Sequence, residues 1–210
     1  MTQTAIIDFH DPEAIQKANQ IIKRGGTIAF PTDTVYGLAA DVFENDAIRK
    51  IYAIKERSML KALPVLIANM GQLERIISEM KESAMILAEA YWPGPLTLIL
   101  PKAQGLPELL SPYSTIGVRM PDYPLTLELL ETTGPLATTS ANLSGKSNPR
   151  TAQDVLDQLG GRIDLLLDGG ETPGAKPSTV VEVTTTEIKV LREGPILKSD
   201  IKALINKDLL

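Results

Sequence analysis

"IIKRGGTIAFPTDTVYGL", residues 21–38, decides the fold class. Ile21 and Ile22 complete an apolar stripe begun by Ala14, Ile15 and Ala18, at helical spacing. Asp11-Pro12 reads as its N-cap and first-turn proline. Lys23-Arg24 suits the negative end of that helix, and Gly25-Gly26 stops it. Thr27–Phe30 then reads as a short apolar strand. A helix, a glycine stop and a strand in succession make an α/β unit. The strand ends on Thr32-Asp33-Thr34, hydroxyls around a carboxylate, and Gly37 lets the chain turn away.

The alternation continues along the chain. Further strands are expected at Leu63–Ala68, Leu96–Leu100, Ile116–Met120, Leu136–Thr139 and Ile163–Leu167. Helices are expected at Asn45–Ile54, near Gln72–Met80, and at Glu82–Tyr91, Pro124–Glu131 and Thr151–Leu159; Trp92-Pro93-Gly94-Pro95 breaks the third. Thr179–Thr184 and Glu187–Arg192 read as a hairpin, and Ser199–Leu209 as a terminal helix. This pattern implies one α/β domain with a mixed sheet, over residues 1–198, and a helical tail over 199–210. No repeat, low-complexity run or linker interrupts it.

Composition narrows the chemistry. The chain has 210 residues, 43% hydrophobic and 22% charged, as a folded domain requires. No run approaches the roughly 18 apolar residues of a membrane span, and Met1–His10 lacks the pattern of a secretory leader. A cytoplasmic location with no membrane partner is expected. The absence of cysteine excludes thiolate chemistry, and a single histidine, His10, argues against a zinc site or a Ser-His-Asp hydrolase. No Walker-type phosphate loop is present. A net charge of −5 argues against a basic nucleic-acid coat, though not against a local positive cleft.

Polar residues instead collect at strand ends. Thr32-Asp33-Thr34, Arg119, Thr138-Thr139-Ser140-Ala141-Asn142, Ser178 and Arg192 each begin or end a strand. Lys55 and Arg57 end a helix, and Lys61 precedes a strand. Taken singly, each has an ordinary explanation: a helix-end cation, a turn rich in Ser and Asn, a cap. Together they form an anion-compatible set, and chemistry without histidine, cysteine or zinc points to positioning and charge stabilisation, as in adenylyl or phosphoryl transfer.

The blocks "GGTIAFPTDTVYGLAAD", "IYAIKERSMLKALPVLI", "WPGPLTLIL", "GVRMPDYPL", "TTSANLSGKSNPRTA", "STVVEV" and "LREGPI" together resemble the YrdC/Sua5 family of threonylcarbamoyl-adenylate synthases. The likeness runs from about Gly25 to Ile196, and the length resembles the short, YrdC-like form. The family's K-x-R and S-x-N elements read here Lys55-Glu56-Arg57 and Ser140-Ala141-Asn142. The resemblance implies a twisted mixed sheet with flanking helices around a large, positively charged cavity. It implies a nucleotidyltransferase that joins L-threonine, bicarbonate and ATP and releases pyrophosphate. The product would pass to a separate transferase complex for t6A modification of tRNA.

By the same resemblance, Lys55 and Arg57 carry catalysis, and with Lys61, Ser140, Asn142, Asn148 and Arg192 they bind ATP. Thr32, Thr34, Arg119, Thr138 and Ser178 hold threonine. Mg²⁺ would bridge phosphates, with no protein metal site. Asp33 has no assigned role. Ser58, Lys61, Leu66, Tyr123 and Asn148 stand where the family commonly has proline, asparagine, histidine, histidine and serine. Two alternatives remain open: a module of the same fold that binds double-stranded RNA or tRNA, and a carbamoyl-adenylate-forming relative. The aromatic content of 4% counts against the first.

Overall fold

The apolar stripe of residues 14–22 folds as α1 (Ala14–Lys23), which buries Ala14, Ala18 and Ile22. Its N-cap is Glu13, and Asp11 instead accepts the Glu13 N–H in the preceding turn. At the other end Gly25 N–H reaches Ile22 O and Gly26 N–H reaches Ile21 O, the paired bonds that satisfy a helix terminus when a left-handed glycine (φ +69°) follows. The chain then enters β2 (Ile28–Phe30).

These relationships come from a computed structural model, which describes residues 3–174, 176–183 and 188–208, with side chains described to residue 205. In chain order the other strands are β1 (Ala5–Asp8), β3 (Gly37–Asp41), β4 (Val65–Leu66), β5 (Leu96–Pro101), β6 (Thr115–Arg119), β7 (Leu136–Ser140), β8 (Leu165–Asp168), β9 (Thr179–Val183) and β10 (Ile188–Arg192). The other helices are α2 (Asn45–Lys55), α3 (Glu82–Tyr91), α4 (Pro124–Thr133), α5 (Ala152–Leu159) and α6 (Lys198–Asp208). All ten strands join one mixed sheet in the order β1-β8-β2-β3-β7-β4-β6-β5-β9-β10. β9 and β10 are antiparallel neighbours, as expected of a hairpin. The expected strand residues Thr184 and Glu187, the helix end at Leu209 and the first two residues of Met1–His10 lie outside the described residues.

Two strands were not legible. β3 is "GLAAD", without a β-branched or aromatic residue, yet it pairs along its whole length with β7 and over Gly37–Ala39 with β2. Alanine has little strand preference of its own; burial on both faces makes the strand here. β1 is one of the two outer strands of the sheet, four residues parallel to β8. Two expectations are corrected. The strand at Leu63–Ala68 shrinks to two residues: Pro64 has no N–H to donate at its start, and past its end the Ala68 N–H turns to Gln72 Oε1. The helix near Gln72–Met80 is a short 3₁₀ turn, Met70–Arg75, after which Ile77 bridges Lys102 on the sheet.

The alternation of each strand assigns the two faces. Ile28, Phe30, Leu136, Leu165 and Leu167 pack with Ala14, Ala18 and Ile22 of α1 and Leu129 and Leu130 of α4. Ala29, Leu98, Val118, Ala137 and Leu166 point the other way, into the larger core with residues of α2, α3, α5 and α6. α1 touches β2, β3 and β8. On strands β5, β6 and β7 the α1 face therefore carries Thr97, Arg119, Thr138 and Ser140, between core residues of the opposite face.

Gly37 opens β3 without a positive φ, so it is not a turn glycine; its role is close approach. A Cβ there would lie 2.9 Å from Thr138 Cγ2, on a stiff β-branched side chain whose hydroxyl is tied to Leu136 O. Gly37→Ala should lower the unfolding free energy by roughly 1–3 kcal/mol, the usual effect of overpacking, measured by urea denaturation. Unchanged stability would mean that Thr138 can yield.

Candidate active site

On the α1 face a cavity of about 210 Å³ lies across β5, β6, β7 and the start of β9. Its walls include Thr32, Thr34, Tyr36, Arg57, Leu66, Thr97, Arg119, Thr138, Ser140, Asn148, Pro177, Ser178 and Arg192. The strand ends that meet here are of both senses. β6 is parallel to β4, and β4 is antiparallel to β7, so Arg119 lies beside Leu66, which pairs with Leu136 at the start of β7. Ser140 is at the far end of that strand, about 13 Å away at the usual rise per residue. The site thus runs along the sheet face rather than along one edge of it.

The loop 31–36 bridges that length. Register places its ends at the Ser140 end of the sheet, since Phe30 pairs with Gly37 and Gly37 with Ser140. The loop nevertheless reaches Arg119, because it is folded on itself. Thr32 Oγ1 donates to Val35 O (2.7 Å) and accepts from the Thr34 N–H (3.1 Å). Thr34 Oγ1, 3.0 Å from Thr32 Oγ1, accepts from Arg119 Nη1 at 2.9 Å. Arg119 Nε donates to Gly94 O (3.0 Å), and Nη2 donates to Asp33 Oδ1 in a buried ion pair. Burial disfavours the charge of Arg119, and the Asp33 carboxylate opposes that.

Two more arginines complete the cationic wall. Arg192 Nε and Nη2 fork onto Ser178 O (3.0 and 2.8 Å), and Nη2 also reaches Ser178 Oγ (3.2 Å). Ser178 Oγ lies 2.8 Å from Thr97 Oγ1. Arg57 Nη2 donates to Ala62 O (3.0 Å), while its Nε is buried with no partner among the described residues. A half-buried guanidinium with spare donors suits an oxyanion. Among the described residues, neither Arg57 nor Arg192 makes a salt bridge to a carboxylate.

Of the expected site residues, Thr32, Thr34, Arg57, Arg119, Thr138, Ser140, Asn148, Ser178 and Arg192 line the cavity. Asn148 is exposed, at its rim. Three others stand elsewhere. Lys61 is exposed on the loop after α2. Lys55 is buried beneath the site: its Nζ donates to Ser140 O, to Asn142 O (2.6 Å) and to Asn142 Oδ1 (3.3 Å). Asn142 Nδ2 in turn donates to Leu143 O and Lys146 O. Lys55 and Asn142 therefore shape the loop after β7, and in this arrangement their polar atoms face the protein. Residues the sequence reading passed over are Thr97, Tyr36 and Pro177, and Asp33 as the partner of Arg119. Thr97 had a signal, being the one polar residue in the strand "LTLIL".

The family model Sua5_yciO_yrdC, described as telomere recombination, matches residues 20–194. The chain is 42% identical over 202 residues to the threonylcarbamoyl-AMP synthase of Bacillus subtilis, covering 95% of this chain and 58% of the relative. It is 38% identical over 195 residues to that of Pyrococcus abyssi, covering 92% and 57%. The chain thus spans less than three-fifths of the length of these relatives. The crystal structure of the P. abyssi Sua5 protein complexed with L-threonine superposes with a TM-score of 0.92 at 37% identity, covering 97% of this chain and 61% of that one.

Burial and the nearby Arg57 charge push the Lys55 pKa down to about 7. An unfolded lysine keeps its proton to about pH 10.4. Between those values the unfolded chain binds more protons, so stability rises with pH there and is lost as pH falls towards 7. Thermal unfolding from pH 5 to 10 should show the wild type gaining on Lys55→Met above pH 7 and running parallel to it below about pH 6. Parallel curves throughout would mean that Lys55 titrates normally.

Proposed function

The chain belongs to the Sua5–YciO–YrdC family, and we propose that it joins L-threonine, bicarbonate and ATP into L-threonylcarbamoyl-adenylate. Pyrophosphate leaves, and a separate transferase complex uses the product for t6A modification of tRNA. The observation that carries this reading is the pairing of a buried guanidinium, Arg119, with hydroxyls at one end of a small cavity whose other charged lining residues are two more arginines, Arg57 and Arg192. An α-amino acid with a hydroxyl side chain matches that end. At about 210 Å³ the cavity is below the ~300–1,000 Å³ of drug-sized sites, a size for the amino acid, with the nucleotide extending past Arg57 and Asn148.

The chemistry needs no protein nucleophile. The threonine amine attacks the carbon of bicarbonate, and water leaves to give the N-carboxylate. A carboxylate oxygen of that carbamate then attacks the α-phosphorus of ATP, and the bond to pyrophosphate breaks. Arg119 and Thr34 hold the amino acid, with Thr138 and Ser178 beside it. Arg57 and Arg192 neutralise the phosphates and the charge that develops as pyrophosphate departs. Lys55 keeps Ser140 and the loop after β7 in place for the nucleotide. The cavity offers guanidinium and hydroxyl donors, a set for phosphate oxygens rather than for a divalent cation. Mg²⁺ would accordingly enter bound to ATP.

Pyrophosphate release from ATP should require both L-threonine and bicarbonate. Release independent of threonine would favour a carbamoyl-adenylate-forming enzyme, and no release with tRNA binding intact would favour an RNA-binding module. Arg57→Ala should lower turnover by ~10²–10³, the loss typical of one preorganised donor; normal turnover would remove Arg57 from the reaction. Arg119→Lys should raise the KM for threonine more than that for ATP, because a point charge cannot replace a fork.

A further inference from the structure

The cavity's cations and its nearest acid are unequally matched. Three arginines line it, and among the described residues Asp33 is the sole carboxylate in a salt bridge with any of them. Arg119 spends three of its N–H groups on Gly94 O, Thr34 Oγ1 and Asp33 Oδ1. A guanidinium has five, so two remain. Asp33 itself lies just behind the cavity wall, between the lining residues Thr32 and Thr34, with its side chain 11% exposed.

The backbone around Asp33 is held at several points, its side chain by Arg119 alone among the described residues. Thr32 and Thr34 are buried and bonded to each other, to Val35 and to Arg119. The segment at Gly174 presses on the same turn: a Cβ there would lie 2.5 Å from Asp33 O and 2.7 Å from Thr34 Cα. The Asp33 carboxylate, by contrast, has no other hydrogen-bond partner among the described residues. Rotation about two side-chain bonds would release it without disturbing the loop.

We infer that Asp33 is a binding residue for the amino acid, holding Arg119 before the substrate arrives and taking the substrate's α-ammonium once the substrate carboxylate occupies Arg119. A zwitterion presents an anion and a cation one carbon apart, and the Arg119–Asp33 pair presents the complementary two groups. A buried guanidinium without a counter-charge is costly, so Asp33 keeps the empty site neutral at that point. The arriving carboxylate supplies the same charge through the two spare N–H groups of Arg119. Asp33, now a second anion beside one cation, moves to the ammonium. The exchange favours ligands carrying both charges and disfavours simple carboxylic acids, which would leave two carboxylates on one arginine. It rests on the reading of the cavity as a threonine site.

The test compares L-threonine with 3-hydroxybutanoate, which is threonine without its α-amino group, by titration calorimetry on the wild type and Asp33→Asn. The wild type should bind threonine at least about tenfold more tightly than 3-hydroxybutanoate, the effect of one charged hydrogen bond. Asp33→Asn should lose about tenfold or more for threonine and bind 3-hydroxybutanoate as tightly as the wild type or more tightly. Equal binding of the two ligands by the wild type would overturn the inference, even if the variant does not fold. Equal weakening of both ligands in Asp33→Asn would also overturn it, since Asp33 would then only brace Arg119. Asp33→Glu, which retains the charge, should keep a preference for threonine. Failure of the wild type to bind threonine at all would instead overturn the proposed function.

Discussion

The guanidinium of Arg119 ties together three parts of the chain that are far apart in sequence. Its Nε holds the turn after α3 at Gly94, and its two terminal nitrogens hold the β2–β3 loop at Thr34 and Asp33. It stands at the end of β6, with its neighbour Val118 in the core on the other face of the sheet. A charge this buried must be bonded on every side that water has left. That requirement draws the loop 31–36 across the sheet and so makes a cavity out of an open sheet face.

Lys55 does for the opposite end of the cavity what Arg119 does for the first. The residue is 1% exposed, and its Nζ meets neutral oxygens, those of Ser140 and Asn142. The two cations differ in consequence. Arg119 offers a planar fork with donors to spare, whereas the three donors of Lys55 are directed into the loop after β7. A lysine that reads as an anion ligand can thus be turned inward, against the backbone that it pins.

Much of the sheet was legible because its strands alternate. "LTLIL" and "IGVR" each set apolar residues on one face and a polar one on the other, and the structure follows that pattern at Thr97 and Arg119. Strand β3 was hidden because glycine and alanine carry no such pattern, and its strand state comes from the neighbours on both sides. Among the site residues, the hydroxyls and arginines were readable by type. The inward turn of Lys55 was not, because a lysine ending a helix has the same sequence signature whether it faces water or carbonyl groups.

Local order determined the elements, their alternation as an α/β domain, and, through the absence of cysteine, the exclusion of thiol chemistry, since each depends on residue type and spacing along the chain. Tertiary structure alone decided which polar residues face one another: that Asp33 meets Arg119 across 86 positions, that Thr34 lies beside both, and that Lys61 lies outside. Those pairings follow from strand order and register, in which one antiparallel step, β7 beside β4, lays the site along the sheet face. Register is set by long-range hydrogen bonds between strands and by which face finds a helix to cover it. No window of sequence contains both partners of such a bond.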